Sequence, residues 1–125
     1  MSIKQRIMTA LTPLGVPVAF LSRKDDGKFP FIVFNVSETP LDFSDDEEEG
    51  ILYMIAINIF SKPDYNFEKL KKDIIEIMVD DGFKKGVIAS TEFIENDGDG
   101  LFNQPMAFAY YEPAITKEED ITPSE

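Results

Sequence analysis

Apolar residues alternate at every second position in one long stretch of the chain and recur at helical spacing directly after it. Residues 51–61 read ILYMIAINIFS, with a large apolar residue at each odd-numbered position from 51 to 59. This alternation predicts a β-strand with one face in the core. In residues 67–78 the apolar positions fall mostly three or four residues apart, which predicts an amphipathic helix.

Polar residues and a glycine mark the ends of this helix. Ser61 with Asp64 has the spacing of a capping box, and Asn66 is a competing N-cap, so two starts are open. Gly82 supplies the left-handed backbone that commonly follows a last helical turn. Phe83 then provides the hydrophobic contact that accompanies such a stop.

A first helix is predicted near the amino terminus. Ser2 and Gln5 have capping-box spacing, and apolar residues at helical spacing follow them. Pro13 is poorly tolerated inside a helix, so the helix is expected to end near residues 11–12. Gly15 then reverses the chain.

Shorter apolar runs predict four more strands, at residues 16–21, 29–36, 87–95 and 101–112. The strand at 29–36 is apolar on both faces, which calls for cover on both sides or for another subunit. The sequence NDGDG at 96–100 predicts the turn of a hairpin. Pro105 predicts an edge position or a bulge in the last strand.

The order helix, strand, strand, strand, helix, strand, strand predicts one α+β domain over residues 1–113. Its sheet should be mostly antiparallel, with four or five strands and with the helices on one face. Residues 114–125 read AITKEEDITPSE, which is polar and acidic, and they are expected to form a disordered tail.

The most acidic run of the chain falls in residues 37–49, which are predicted to be a loop. This run holds Glu38 and Asp42 as well as a tight acidic cluster, and it contains no Lys or Arg. Such a run is commonly a solvated loop, but it could also bind cations or basic partners. The candidate partner interface consists of its two apolar residues and the cluster: Leu41, Phe43, Asp45, Asp46, Glu47, Glu48 and Glu49.

Composition narrows the possible chemistry. The formal net charge is −12, with no Cys and no His in 125 residues. These counts exclude thiolate metal sites, zinc sites built on His or Cys, and Ser-His-Asp triads. The acidic charge argues against nucleic-acid and anionic-membrane binding. No apolar run approaches the ~20 residues of a membrane span, and no signal peptide is recognised.

Two acidic motifs suggest calcium binding or acid–base catalysis, but neither has the residues that such a site requires. Residues 95–100 start like an EF-hand loop, but Met106 stands where the bidentate Glu should be, and the flanks are strand-like. Asp80 and Asp81 follow a helix end, where exposure to solvent is the ordinary reading. We therefore expect no enzyme activity, no catalytic residues, no cofactor and no bound metal.

Several strings resemble the tail-completion proteins of long-tailed bacteriophages and prophages, which comprise tail-terminator and tail-to-head joining proteins. They are FPFIVFNVSET followed by an acidic loop, INIFSKPDY before a helix, DDGF after it, and a closing MAFAYYEP strand. The likeness runs from about Ile3 to Pro113.

The resemblance implies a virion structural protein that is assembled in the host cytoplasm. It implies a homo-oligomeric ring, typically a hexamer, which terminates the tail or joins it to the head connector. Its partners would be other copies, the tail tube and the connector. The acids would line a DNA channel, where they repel phosphates, or face a neighbouring protein.

A rival function of another class is a small acidic inhibitor that mimics nucleic acid and occupies a basic groove on a host or defence protein. Its charge would suit that role. A mimic, however, needs acids at phosphate-like spacing on a rigid surface. In this chain they concentrate in a predicted loop, a turn and a tail.

Overall fold

The chain folds into a six-stranded mixed sheet and two helices, in a computed structural model that describes residues 2–21, 28–42, 48–94 and 100–113. The helices are α1 (Ile3–Leu11), which continues into a 3-10 turn at Thr12–Leu14, and α2 (Glu68–Asp80). The strands are β1 (Val18–Phe20), β2 (Phe31–Asp42), β3 (Glu48–Ser61), β4 (Lys84–Ile88), β5 (Glu92–Ile94) and β6 (Leu101–Pro113).

The sheet has the order β1-β2-β3-β6-β4, and β5 pairs with β6 as well. Only the β1–β2 pairing is parallel among these strands, and the others are antiparallel. The long strands β2, β3 and β6 stay in register over most of their length. Ile57, for example, lies between Phe34 on one side and Met106 on the other. The predicted α+β class is confirmed.

The strand count is higher than predicted, because residues 87–95 do not form one strand. β4 begins earlier, at Lys84, and a break separates it from β5 beside Pro105. The side chain of Gln104 fills this break: its Nε2 donates to the carbonyl of Ala89 at 2.7 Å, and its Oε1 accepts from Thr91 Oγ1 at 2.7 Å. The buried amide thus replaces the missing ladder hydrogen bonds.

Pro105 does not lie on an edge strand, so that half of its prediction is wrong. β6 is an interior strand, with β3 on one side and β4 and β5 on the other. The alternative, an irregularity, is correct: the register of β4 shifts between Lys85 and Ile88, next to the proline. A proline inside a sheet is tolerated where the neighbouring strand is interrupted.

The core lies between one face of the sheet and the two helices. The odd-numbered face of β3 was predicted to be core, and it is buried from Tyr53 to Ile59. The other large core residues come from both helices, from β2 and β6, and from the residues on either side of α2: Ile7, Leu11, Ile32, Phe34, Phe67, Leu70, Ile74, Met78, Phe83, Met106 and Phe108.

The ends of the helices follow the sequence signals except at the start of α2. Ser2 and Gln5 form the predicted capping box. Ser61 does not cap α2, because it is still the last residue of β3 and its hydroxyl is buried. The N-cap is Phe67, and Asn66, the competing candidate, lies one residue before it; the Asn66 Oδ1 accepts from the backbone N–H of Glu68 at 3.0 Å.

The stop after α2 is confirmed. Gly82 has φ of 99°, in the left-handed region where a side chain is strained. The Phe83 N–H donates to the Met78 carbonyl at 2.9 Å, and the Gly82 N–H donates to Val79 at 3.0 Å. These two bonds form a Schellman motif, which satisfies the last carbonyls of the helix and turns Phe83 into the core.

Truncation of Ile74 tests the contribution of α2 to the core. Ile74 has no exposed surface, whereas Val79 on the same helix is 47% exposed. Ile74→Ala should lower the free energy of unfolding by about 2–5 kcal/mol, because it removes buried methyl groups and leaves a cavity. Val79→Ala is the matched control and should change it by less than about 0.5 kcal/mol. Urea denaturation measures both, and equal losses would contradict this placement of the helix.

Candidate interaction surface

The predicted partner interface lies at the far end of the β2–β3 hairpin. Leu41 is a β2 residue paired with Gly50, and it is half-buried. Glu48 and Glu49 are the first two residues of β3, and Glu48 pairs with Asp42 of β2. Phe43, Asp45, Asp46 and Glu47 lie outside the described residues.

The prediction of a loop over residues 37–49 is wrong for most of that range. β2 continues to Asp42 and β3 starts at Glu48, so the hairpin is longer than the apolar pattern indicated. Backbone pairing against residues 51–54 of β3 extends the strand through Ser37, Glu38, Thr39 and Pro40. Their side chains are exposed, so this part of the strand needs no apolar alternation.

The acidic end of the sheet, as we call this region, comprises Glu38, Asp42, Glu48, Glu49 and Glu112. The register brings them together: Glu38 pairs with Tyr53, and Glu112 pairs with Ile51 on the other side of β3. Three strands therefore deliver carboxyl-bearing residues to one end of the molecule, although Glu112 is distant in sequence.

Tyr53 links this end to the core. Its ring is buried, and its hydroxyl donates to Glu112 Oε1 at 3.0 Å. Burial and then this hydrogen bond raise the pKa of Tyr53 above its ordinary value. The nearby carboxylate of Glu38 also raises the pKa of Tyr53, because it would repel the negative charge of the phenolate.

The opposite face of the sheet carries no helix in the described part of the chain. We call it the open face, and the strand register assigns its residues. They are Phe31, Val33, Asn35, Ser37, Thr39 and Leu41 of β2, Leu52, Met54, Ala56, Asn58 and Phe60 of β3, and Asn103, Pro105, Ala107, Ala109 and Tyr111 of β6. Most are half-buried by their neighbours, while Met54 and Tyr111 are each 43% exposed.

Aromatic rings lie at both ends of the open face. At one end Phe31 and Phe60 stack with ring centroids 5.1 Å apart. At the other end Tyr111 lies across Gly50, where an added Cβ would come within 2.6 Å of the Tyr111 hydroxyl oxygen and of the Glu112 carbonyl. Glycine at position 50 thus lets the ring lie flat on the sheet.

The side of the sheet that carries the helices is held by a contact that sequence reasoning missed. Arg6 Nε donates to Asp81 Oδ2 at 3.0 Å, and a second guanidinium nitrogen donates to the Asp81 carbonyl. The guanidinium also lies over the rings of Phe83 and Tyr110, 4.7 and 4.6 Å from their centroids. We call this set of contacts the Arg6 clamp. A hydrogen bond with Tyr110 raises the pKa of Arg6; burial opposes this rise and Asp81 adds to it.

The Arg6 clamp corrects the reading of Asp81. The sequence placed this carboxylate in solvent without an orienting group, but Arg6, 75 positions earlier in the chain, orients it. No periodicity or local motif signals such a pairing. Its role is to join α1 to the end of α2 and to β6.

The described residues hold no group of three or more His, Cys, Asp or Glu side chains placed to bind a metal ion. None of the helices in that part of the chain is long and apolar enough to cross a membrane. The candidate surface consists of the open face and the acidic end, which adjoin at Leu41 and Tyr111.

Comparison with known proteins adds little to this description. No family model and no curated protein matches the chain. A solved structure whose name states no function is similar, at 10% sequence identity and a TM-score of 0.48. The match covers 94% of this chain and 100% of that one.

Removing the charge of Arg6 tests the clamp. Arg6→Gln should lower the free energy of unfolding by about 1–3 kcal/mol, because an ion pair and two cation–π contacts are lost together. Lys4→Gln removes the same charge from the same helix, where Lys4 lies over the single ring of Phe20. That control should cost less than about 1 kcal/mol. Thermal and urea denaturation compare the two, and a larger loss for Lys4→Gln would refute the ranking.

The raised pKa of Tyr53 predicts a loss of stability at alkaline pH. A phenol whose pKa is higher in the folded than in the unfolded state contributes fully below the unfolded value of about 10. That contribution disappears as pH rises through the folded pKa. Tyr53→Phe should flatten this part of the curve of unfolding free energy against pH between about pH 9 and 11. An unchanged slope in the variant would contradict the assignment.

Proposed function

We propose that this protein is a non-enzymatic structural component of a long-tailed phage or prophage. It forms a ring at the tail–head junction and terminates the tail or joins it to the head connector; the resemblance implies that the ring is a hexamer. It works in the virion and assembles in the host cytoplasm. The observation that carries the proposal is the open face, since a broad apolar sheet surface needs a protein to cover it.

The composition of the open face supports assembly over catalysis. Its side chains are aliphatic, aromatic, amide or hydroxyl groups, with Asn35, Asn58 and Asn103 spaced among apolar neighbours. Amides and aromatic rings are typical of protein contact surfaces, whereas acid–base chemistry requires titratable groups that converge.

The acidic end supports a position next to DNA or next to a second assembly protein. Glu38 of β2 and Glu112 of β6 flank β3 at the same end of the sheet, and residues 45–49 of the sequence are all acidic. Facing a channel, these carboxylates would repel phosphates and let DNA pass without sticking. Facing the tail tube or the connector, they would pair with basic side chains.

Disruption of the gene for this protein in its phage genome tests the proposal. A nonsense mutation should give DNA-filled heads that are separate from tails, or tails of uncontrolled length, in electron micrographs of lysates. A wild-type copy supplied in trans should restore intact particles.

Two variants sharpen this complementation test. Met54→Lys adds a charge to the open face, and Val79→Lys adds the same charge to a position of similar exposure on α2. We expect Val79→Lys to restore particles and Met54→Lys to fail, because desolvating the new cation opposes packing. Normal virions without the protein would refute the function, and rescue by Met54→Lys would refute the role of the open face.

A further inference from the structure

We infer that the free protein forms a two-fold symmetric pair in which the open faces of two copies pack against each other. This inference goes beyond the proposed ring, because it concerns the chain before it meets any assembly partner. It does not depend on the phage assignment. Its supports are the size of the face, the distribution of charge, and the positions of two ionised residues at the border of the face.

The open face has the size of one side of a stable interface. Its long strands run side by side at about 4.8 Å spacing and about 3.4 Å per residue, and short strands flank them. The surface is therefore roughly 35 Å by 20 Å, on the order of 700 Å². A standard protein interface takes about 800 Å² from each partner. A partner of standard size would therefore cover nearly the whole open face.

The distribution of charge favours a second copy as the occupant. The chain has a net charge of −12, yet the open-face residues assigned to β2, β3 and β6 include no Asp or Glu, and Glu92 of β5 stands at the border of the face. Two strongly acidic molecules can approach closely only through surfaces that keep carboxylates apart. A basic partner, in contrast, would gain from carboxylates at the contact, and those lie at the acidic end instead.

Two ionised residues border the face on β4 and β5, the short strands that pair with β6. Lys84 of β4 pairs with Ala109, and Glu92 of β5 pairs with Asn103, so both side chains stand on the side of the open face. Glu92 is exposed and accepts a 3.3 Å hydrogen bond from Asn103 Nδ2. Lys84 is exposed as well. The two residues lie beside the same strand, roughly 20 Å apart along it.

A two-fold axis perpendicular to the strands, passing at the level of Met106, exchanges these two positions. Residues 103 and 109 of β6 are equally far from residue 106, so the axis brings Lys84 of one copy opposite Glu92 of the other. Symmetry makes this pair twice. Packed sheets lie about 10 Å apart, a gap that the lengths of a lysine and a glutamate side chain together can bridge.

The same axis also brings apolar side chains of the two copies into contact. Met54 pairs with Ala109 and Phe60 pairs with Asn103, so these β3 residues occupy the same two levels as Lys84 and Glu92. In the pair, Met54 of one copy meets Phe60 and its stacked neighbour Phe31 in the other. A thioether against aromatic rings is a favourable contact, and it would cover the most exposed apolar side chain of β3.

Sedimentation equilibrium and light scattering on the purified full chain test the pair, with circular dichroism to verify folding of every variant. Wild type should have the mass of a dimer that dissociates on dilution. Met54→Lys should weaken the dimer by at least about tenfold, because two buried cations would be created. Val79→Lys, the matched control on α2, should leave it within about threefold of wild type.

Exchange of the two border charges tests the axis itself. Lys84→Glu and Glu92→Lys should each weaken the dimer by about tenfold, and the double exchange should restore it to within about threefold. Glu92→Lys is the sharper variant, because lowering the negative charge should strengthen association if general repulsion decides it. Glu76→Lys, on the exposed surface of α2, makes the same charge change away from the face and should not weaken the pair.

Each outcome is decisive. A monomer at all concentrations, or a dimer that Glu92→Lys strengthens as much as Glu76→Lys does, overturns the inference. A six-membered ring of the isolated chain also overturns it, while supporting the proposed function. A dimer with the expected exchange behaviour confirms it even if gene disruption shows no effect on phage tails.

Discussion

The mismatch between strand length and helix length is the constraint on which this structure depends. β2, β3 and β6 contain 12, 14 and 13 residues, which corresponds to about 40 Å or more. α1 and α2 contain 9 and 13 residues, which gives about 14 Å and 20 Å. Two such helices can cover only part of one face of this sheet. The open face and the acidic end are therefore left without cover from the helices.

The thin helix layer is held by contacts at its end as well as by burial. The Schellman motif after α2 directs Phe83 into the core, and Arg6 then lies over that ring and over Tyr110. The same guanidinium bonds the carboxylate and the carbonyl of Asp81. One side chain thereby joins α1, the end of α2 and β6. Planar stacking combined with fixed hydrogen-bond directions is a property of arginine that lysine lacks.

The sequence predicted what is encoded in short-range patterns. The capping box at Ser2, the stop at Gly82 and the core face of β3 all rest on spacing within one element, and all are confirmed. The hairpin through residues 37–42 was missed, since strands that project past the core need no alternation of apolar side chains. The Arg6 clamp arises only from tertiary pairing, so no local pattern could indicate it. The open face was indicated in part, because the strand predicted at residues 29–36 is apolar on both faces.

The two uncovered regions differ in the physics that would hold a partner. Contacts on the open face would rest on removing apolar surface from water, which salt screens little. Contacts at the acidic end would rest on charges exposed to solvent, which salt at physiological strength screens beyond about 8 Å. The placement of the acids follows from the same physics, because carboxylates on the face would have to be desolvated on packing. Because the carboxylates lie at the end of the sheet, the open face can be buried without desolvating them, and they stay in solvent where they can attract or repel a partner.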